Sequence, residues 1–135
     1  MKKYINLEHT ADLKIRAFGK TKEEVFVNMA IGMFDNISNE KDMLKDQPVI
    51  HKIKIKSEDL ESLLVNFLSE LITLGDIHNE VYTDYGLQIT DDVLIADVKG
   101  FRIKKLKLEI KAVTYNDLII KKLKDKWIAE VVFDI

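Results

Sequence analysis

Apolar and polar residues along this chain repeat with two different periods, and the change of period marks its elements. Tyr4 to Leu7 is a short apolar run. From Leu13 to Phe18 every second residue is apolar, so Leu13, Ile15 and Ala17 share one face and Asp12, Lys14 and Arg16 the other, the pattern of a half-buried strand. After Gly19 the spacing lengthens. Val25, Phe26, Met29, Ala30, Met33, Phe34 and Ile37 fall on one helical face, and Thr21-Lys22-Glu23-Glu24 ahead of them reads as a capping box. Ser38 to Pro48 is polar and predicts a loop with a helical turn, Pro48 marking the entry to a strand from Val49 to Lys56.

Ser57 is the expected cap of a second helix carrying Glu58 and Asp59 in its first turn. Leu60, Leu63, Leu64, Phe67, Leu68, Leu71 and Leu74 form its buried stripe, and Gly75 and His78-Asn79 end it. Asn66 and Glu70 lie together at the edge of that stripe. Glu70 is either the ion-pair partner of a strand lysine or part of a site. Strands then follow to the end: Val81 to Ile89, a turn at Asp91-Asp92, Val93 to Val98, Leu106 to Ala112, Leu118 to Leu123, and Trp127 to Ile135 after a Lys124-Asp125-Lys126 turn. Two strands, a helix, a strand, a helix and a run of hairpin strands predict an α+β domain spanning residues 1–135: a mostly antiparallel or mixed sheet with two principal helices packed on it.

Composition narrows the chemistry. With no cysteine, disulfides, thiolate metal sites and cysteine nucleophiles are excluded. No apolar run approaches the length of a membrane span and no signal core follows Lys2 and Lys3, so a cytoplasmic protein without membrane contact is expected. The net charge of -2 conceals polarity: Lys99 to Lys126 holds ten basic residues against three acids, a local +7, leaving -9 elsewhere. Such a surface suits an acidic partner or a phosphate backbone, or is simply a solvated strand face. There is no Gly-rich phosphate loop, no H-E-x-x-H and no G-x-S-x-G. His9, His51 and His78 are far apart in sequence, and His51, on the inward face of its strand, reads as a satisfied core histidine.

Two places remain where chemistry could sit. Leu7-Glu8-His9-Thr10-Ala11-Asp12 crowds polar and ionisable groups between two strands, where an ordinary connection would use Gly, Pro or Asn. Asp12 either bonds local backbone in a polar turn or stands at the mouth of a strand where it can meet a cation. At the other end, Phe133-Asp134-Ile135 closes a strand with a side-chain carboxylate beside the terminal one. If that strand lies beside the one beginning at Asp12, three carboxylates converge. Like charges so close require a cation or protons, and hard oxygen donors favour calcium, magnesium or manganese.

These segments also resemble the archease family. The similarity lies in L-E-H-T-A-D at Leu7 to Asp12, a strand ending at Gly19, a T-x-E-E helix ending near Met33-Phe34-Asp35, and further matches at Glu58 to Leu71, Glu109 to Tyr115 and Trp127 to Ile135. The resemblance implies a non-catalytic accessory protein of an RtcB-type RNA ligase in tRNA splicing and RNA repair, promoting GTP-dependent guanylylation of the ligase and its multiple turnover. It implies a divalent metal at Asp12, Asp134 and the free carboxylate of Ile135. It makes Lys111, the lysine of Ile110-Lys111-Ala112-Val113-Thr114-Tyr115, a contact to partner phosphate or carboxylate, the alternative being a solvated strand lysine; His9 and Glu70 are the other candidate partner or supporting contacts. The chain departs from the family pattern at Asn116, where many members carry histidine, and in its lysine-rich Arg102 to Lys107 segment. Alternative readings are an RNA-binding module using the Lys99 to Lys126 surface, and a general protein chaperone or methyltransferase modulator.

Overall fold

The computed structural model describes residues 1–135. In chain order the elements are β1 (Tyr4–Leu7), β2 (Leu13–Gly19), α1 (Lys22–Ile37), a 3-10 turn (Glu40–Asp42), β3 (Met43–Lys56), α2 (Leu60–His78), β4 (Glu80–Thr90), β5 (Val93–Ile103), β6 (Ala112–Val113), β7 (Ile119–Lys122) and β8 (Trp127–Asp134). The strands form two antiparallel sheets. One runs β1-β2-β8-β6, with β7 beside β6 on the same edge of β8; the other runs β3-β5-β4. The α+β architecture with two principal helices is as expected. What the periodicity could not tell is that the strands divide into two sheets.

Both sheets turn their apolar faces toward the helices. Ile15, Ala17, Ala129, Val131 and Phe133 from the first sheet, and Ile53, Leu94, Ala96 and Val98 from the second, join Phe26, Met29, Met33, Leu64, Phe67 and Leu71 in one continuous core. All seven apolar residues of the α1 stripe are buried. Thr21 caps α1, its Oγ1 accepting from the Glu24 amide at 3.1 Å, while Glu24 reaches the amide of Lys20 rather than that of Thr21.

Several boundaries differ from expectation. Asp59, not Ser57, caps α2, its carboxylate accepting from the Ser62 amide at 2.7 Å; this bond holds the Asp59 carboxyl below the usual range. Ser57 instead accepts from Asn66 at 2.8 Å. Gly75 lies inside α2, which continues to His78 and ends on Asn79 in the left-handed conformation, φ 56°. β3 begins at Met43, before Pro48; a register irregularity between these two lets the proline sit in an edge strand. β5 runs on to Ile103. The strand expected from Leu106 to Ala112 is absent. This segment crosses from one sheet to the other, its Lys107 and Leu108 amides both donating to the Ile37 carbonyl at the end of α1, and only Ala112–Val113 pairs. Leu106 is 46% exposed, whereas Ile110 is buried. An alternating sequence makes a ladder only where a neighbouring strand is available.

Candidate metal centre

The β2–β8 ladder determines what the two ends of the chain can do together. Its partners run from Gly19 opposite Trp127 to Leu13 opposite Phe133. Leu13, Ile15 and Ala17 face the core with Ala129, Val131 and Phe133, so a slip of one residue would turn either set outward; the register is therefore strongly specified. Asp12 and Asp134 each lie one residue beyond the last of these pairs, at the same end of adjacent strands. Opposite positions on such a ladder lie about 5 Å apart between Cα atoms. On its other side Asp134 pairs with Ala112, and its carbonyl accepts from the Lys111 amide at 2.7 Å. Residues 8–12, 111–112 and 134–135 thus meet at one tip.

The connection between β1 and β2 gives the tip its concave side. Leu7 is paired with Lys14, and the intervening residues turn through Ala11, whose φ of 64° is unusual for a residue with a Cβ and costs about 1 kcal/mol. The turn leaves an open polar depression lined by Leu7, Glu8, His9, Thr10 and Asp12. His9 Nδ1 is 3.5 Å from Asp12 Oδ2. Asp12 has no lysine or arginine within salt-bridge distance, and Asp134, exposed, has no ion-pair partner at all. Lys111 is exposed beside them.

Nowhere in the chain do three or more His, Asp or Glu side chains group closely enough to hold a metal unaided. The tip supplies two aspartates on adjacent strand ends, with Ile135 following the second. Hard, anionic oxygens that no internal cation neutralises fit a divalent ion of the calcium, magnesium or manganese class. An ion held by so exposed a donor set would keep coordination positions open to water.

The other expected residues lie elsewhere. Glu70, half-buried in the middle of α2, makes no ion pair, so the strand-lysine partner expected for it is not there. The basic stretch is distributed rather than gathered: Lys99 and Arg102 lie on β5, Lys107 donates to the Asp35 carbonyl at 2.9 Å, and Lys126 rests 5.5 Å from the Phe18 ring centroid. His51 is a quarter exposed rather than fully buried. Its Nε2 lies 2.7 Å from Glu80 Oε1, which also accepts from the Tyr82 hydroxyl at 2.8 Å, and its ring stacks on His78 at 5.2 Å. Burial, then this bond to Glu80, drives the Tyr82 hydroxyl pKa well up.

Sequence reasoning passed over Glu80 and a second buried acid, Glu130. Its carboxylate accepts from Arg16 Nε at 2.7 Å and lies 3.5 Å from Lys14 Nζ, tying β8 to β2 on the face away from the core. The available signal was an acid in the last strand opposing the two bases of the second.

The model of the Archease protein family (MTH1598/TM1083) matches residues 4–135. A protein archease of Methanosarcina barkeri is 43% identical, the alignment covering 99% of this chain and 97% of the relative. One from Pyrococcus abyssi is 39% identical, with both chains covered completely. The solution structure of Methanobacterium thermoautotrophicum protein 1598 superimposes with a TM-score of 0.77 at 26% identity, covering all of both chains.

Proposed function

The chain belongs to the archease family, and from that premise we propose that it is a non-catalytic activator of an RtcB-type RNA ligase. It acts by presenting the acidic tip of Asp12, Asp134 and the Ile135 carboxylate, with a divalent cation, to the ligase. The reading rests on the β2–β8 register, which sets Asp12 and Asp134 one residue past the same terminal pair. A cation held there supplies positive charge that a nucleotide phosphate or a ligase carboxylate can share. Asp12 and Asp134 hold it from two strands whose ends the core makes rigid. His9 orients the Asp12 carboxylate from 3.5 Å. Lys111, whose amide is tied to Asp134, offers its ammonium group to a phosphate or carboxylate at the rim. No helix is long and apolar enough to cross a membrane.

Two measurements test this reading. The first is divalent-ion binding to the isolated protein by calorimetry. The second is guanylylation and multiple-turnover ligation by a cognate RtcB-type ligase supplied with GTP and RNA ends. Asp12→Ala and Asp134→Ala should each weaken ion binding by tenfold or more, and each should abolish stimulation while leaving the fold intact; one glycine added after Ile135 should do similar damage by displacing the free carboxylate. Full stimulation by the extended protein would remove the terminal carboxylate from the account. Full stimulation by both aspartate variants would remove the tip. The distribution of the basic residues over β5, the crossing segment and the β7–β8 hairpin gives no comparable support to direct RNA binding by the Lys99 to Lys126 stretch.

A further inference from the structure

Both outer strands of the second sheet have a bare edge; that of β4, 11 residues, carries a register irregularity between Tyr82 and Asp84. β3 pairs with β5 alone, and none of the backbone hydrogen bonds made outside regular elements involves residues 44–56. Edge strands present a row of free amides and carbonyls, and proteins usually keep such edges short. The first sheet does so, with edges of four residues in β1, two in β6 and four in β7. β3 has 14 residues, and from Val49 to Lys56 it runs with neither proline nor register irregularity.

Most of the basic side chains along this edge are not neutralised from within. Lys52, Lys54 and Lys56 alternate onto the solvent face. Lys52 alone has an acid in reach, Asp97 at 3.1 Å; Lys54 and Lys56 sit opposite Ile95 and Val93. On the same face Ile50 is 57% and Ile95 47% exposed. The wet face of the first sheet is different, because there Glu130 satisfies both Arg16 and Lys14.

We propose that the free edge of β3, from Val49 to Lys56, is a strand-addition site for an extended segment of a partner protein bearing aspartate or glutamate at alternate positions. Added antiparallel or parallel to β3, such a segment takes up the free backbone groups, and its acids stand across from the lysines on one face. A second copy of β3 fits poorly, since it would set lysine against lysine. Single-stranded nucleic acid fits poorly too. It needs open aromatic platforms, whereas the exposed apolar groups here are isoleucines and the Phe101 ring is covered by Lys45 Nζ at 4.7 Å.

The probe is a fluorescently labelled heptapeptide of alternating valine and glutamate, with a valine–lysine heptapeptide and oligouridylate as comparators. Anisotropy at low salt should show saturable binding of the acidic peptide only, and hydrogen exchange should slow at amides within 49–56. Reversing two cross-strand pairs in Lys54→Glu/Lys56→Glu should weaken binding about tenfold or more. Asp12→Ala should bind the peptide unchanged, which separates this site from the acidic tip. Absence of acidic-peptide binding, equal binding of both peptides, or oligouridylate competing at the same lysines would each overturn the proposal. So would a Lys54→Thr/Lys56→Thr protein that self-associates yet binds the peptide as the parent does, since the lysines would then serve only to block self-pairing.

Discussion

Glu130→Gln removes a charge and keeps the shape of the side chain that ties β8 to β2. The Glu130 side chain is 12% exposed and accepts from Arg16 Nε at 2.7 Å. A hydrogen bond between charged groups contributes about 1.5–3 kcal/mol. Because the Arg16 side chain is 36% exposed, water screens the pair and the lower half of that range applies. Lys14, at 3.5 Å from the other oxygen, adds about 0.5 kcal/mol. The expected loss is therefore about 2 kcal/mol, and with a urea dependence of about 2 kcal/mol per molar the unfolding midpoint falls by about 1 M. In a double-mutant cycle, Arg16→Gln should cost about 1 kcal/mol less in the Glu130→Gln background than in the parent. Divalent-ion affinity should be retained under folding conditions, since the register is held by Ile15, Ala17, Ala129 and Val131 in the core rather than by the ion pair. A midpoint shift below about 0.5 M would refute the claim that this carboxylate contributes more than an ordinary surface pair.

Gly100→Ala tests the approach of β4 to β5. A Cβ there would lie 1.8 Å from the Val81 carbonyl oxygen and 2.7 Å from Tyr82 Cα, all backbone atoms that cannot swing aside. Repacking the β4 irregularity between Tyr82 and Asp84 should cost about 3 kcal/mol or more, measured by urea denaturation or seen as loss of soluble protein. Alkaline stability tests Tyr4, whose hydroxyl donates to Asp35 Oδ2 at 2.8 Å and whose pKa is pushed up to about 12, first by burial and then by that bond. A folded-state pKa above the unfolded value of 10.0 means that the contribution is complete below pH 10 and is lost as pH rises toward 12. Tyr4→Phe should flatten this part of the stability profile, and an equally steep fall in the variant would assign it elsewhere.

Much of the pattern of helices and strands was legible from residue order, and the reasons are local. The α1 stripe, the Thr21 cap, the Asp91 turn and the alternating strands each express a preference set within a few residues of the position concerned. The conjunction of an acid before β2 and an acid at the end of β8 stood out because both strands alternate with their apolar sets in phase. Glu130, the His51–Glu80–Tyr82 network and the missing strand at Leu106 to Ala112 did not stand out. Each depends on what a distant segment brings alongside.

Chain order alone determined which residues of the first helix turn inward, that Thr21 caps it, and that no thiol chemistry is available. Tertiary structure decided the division into two sheets, the pairing of β2 with β8 across more than a hundred residues, and which strand edges stay bare. Periodicity tells a strand which of its faces is buried. It carries no information about the partner across the ladder, because backbone hydrogen bonds are the same for every sequence and only packing of the shared core selects among them.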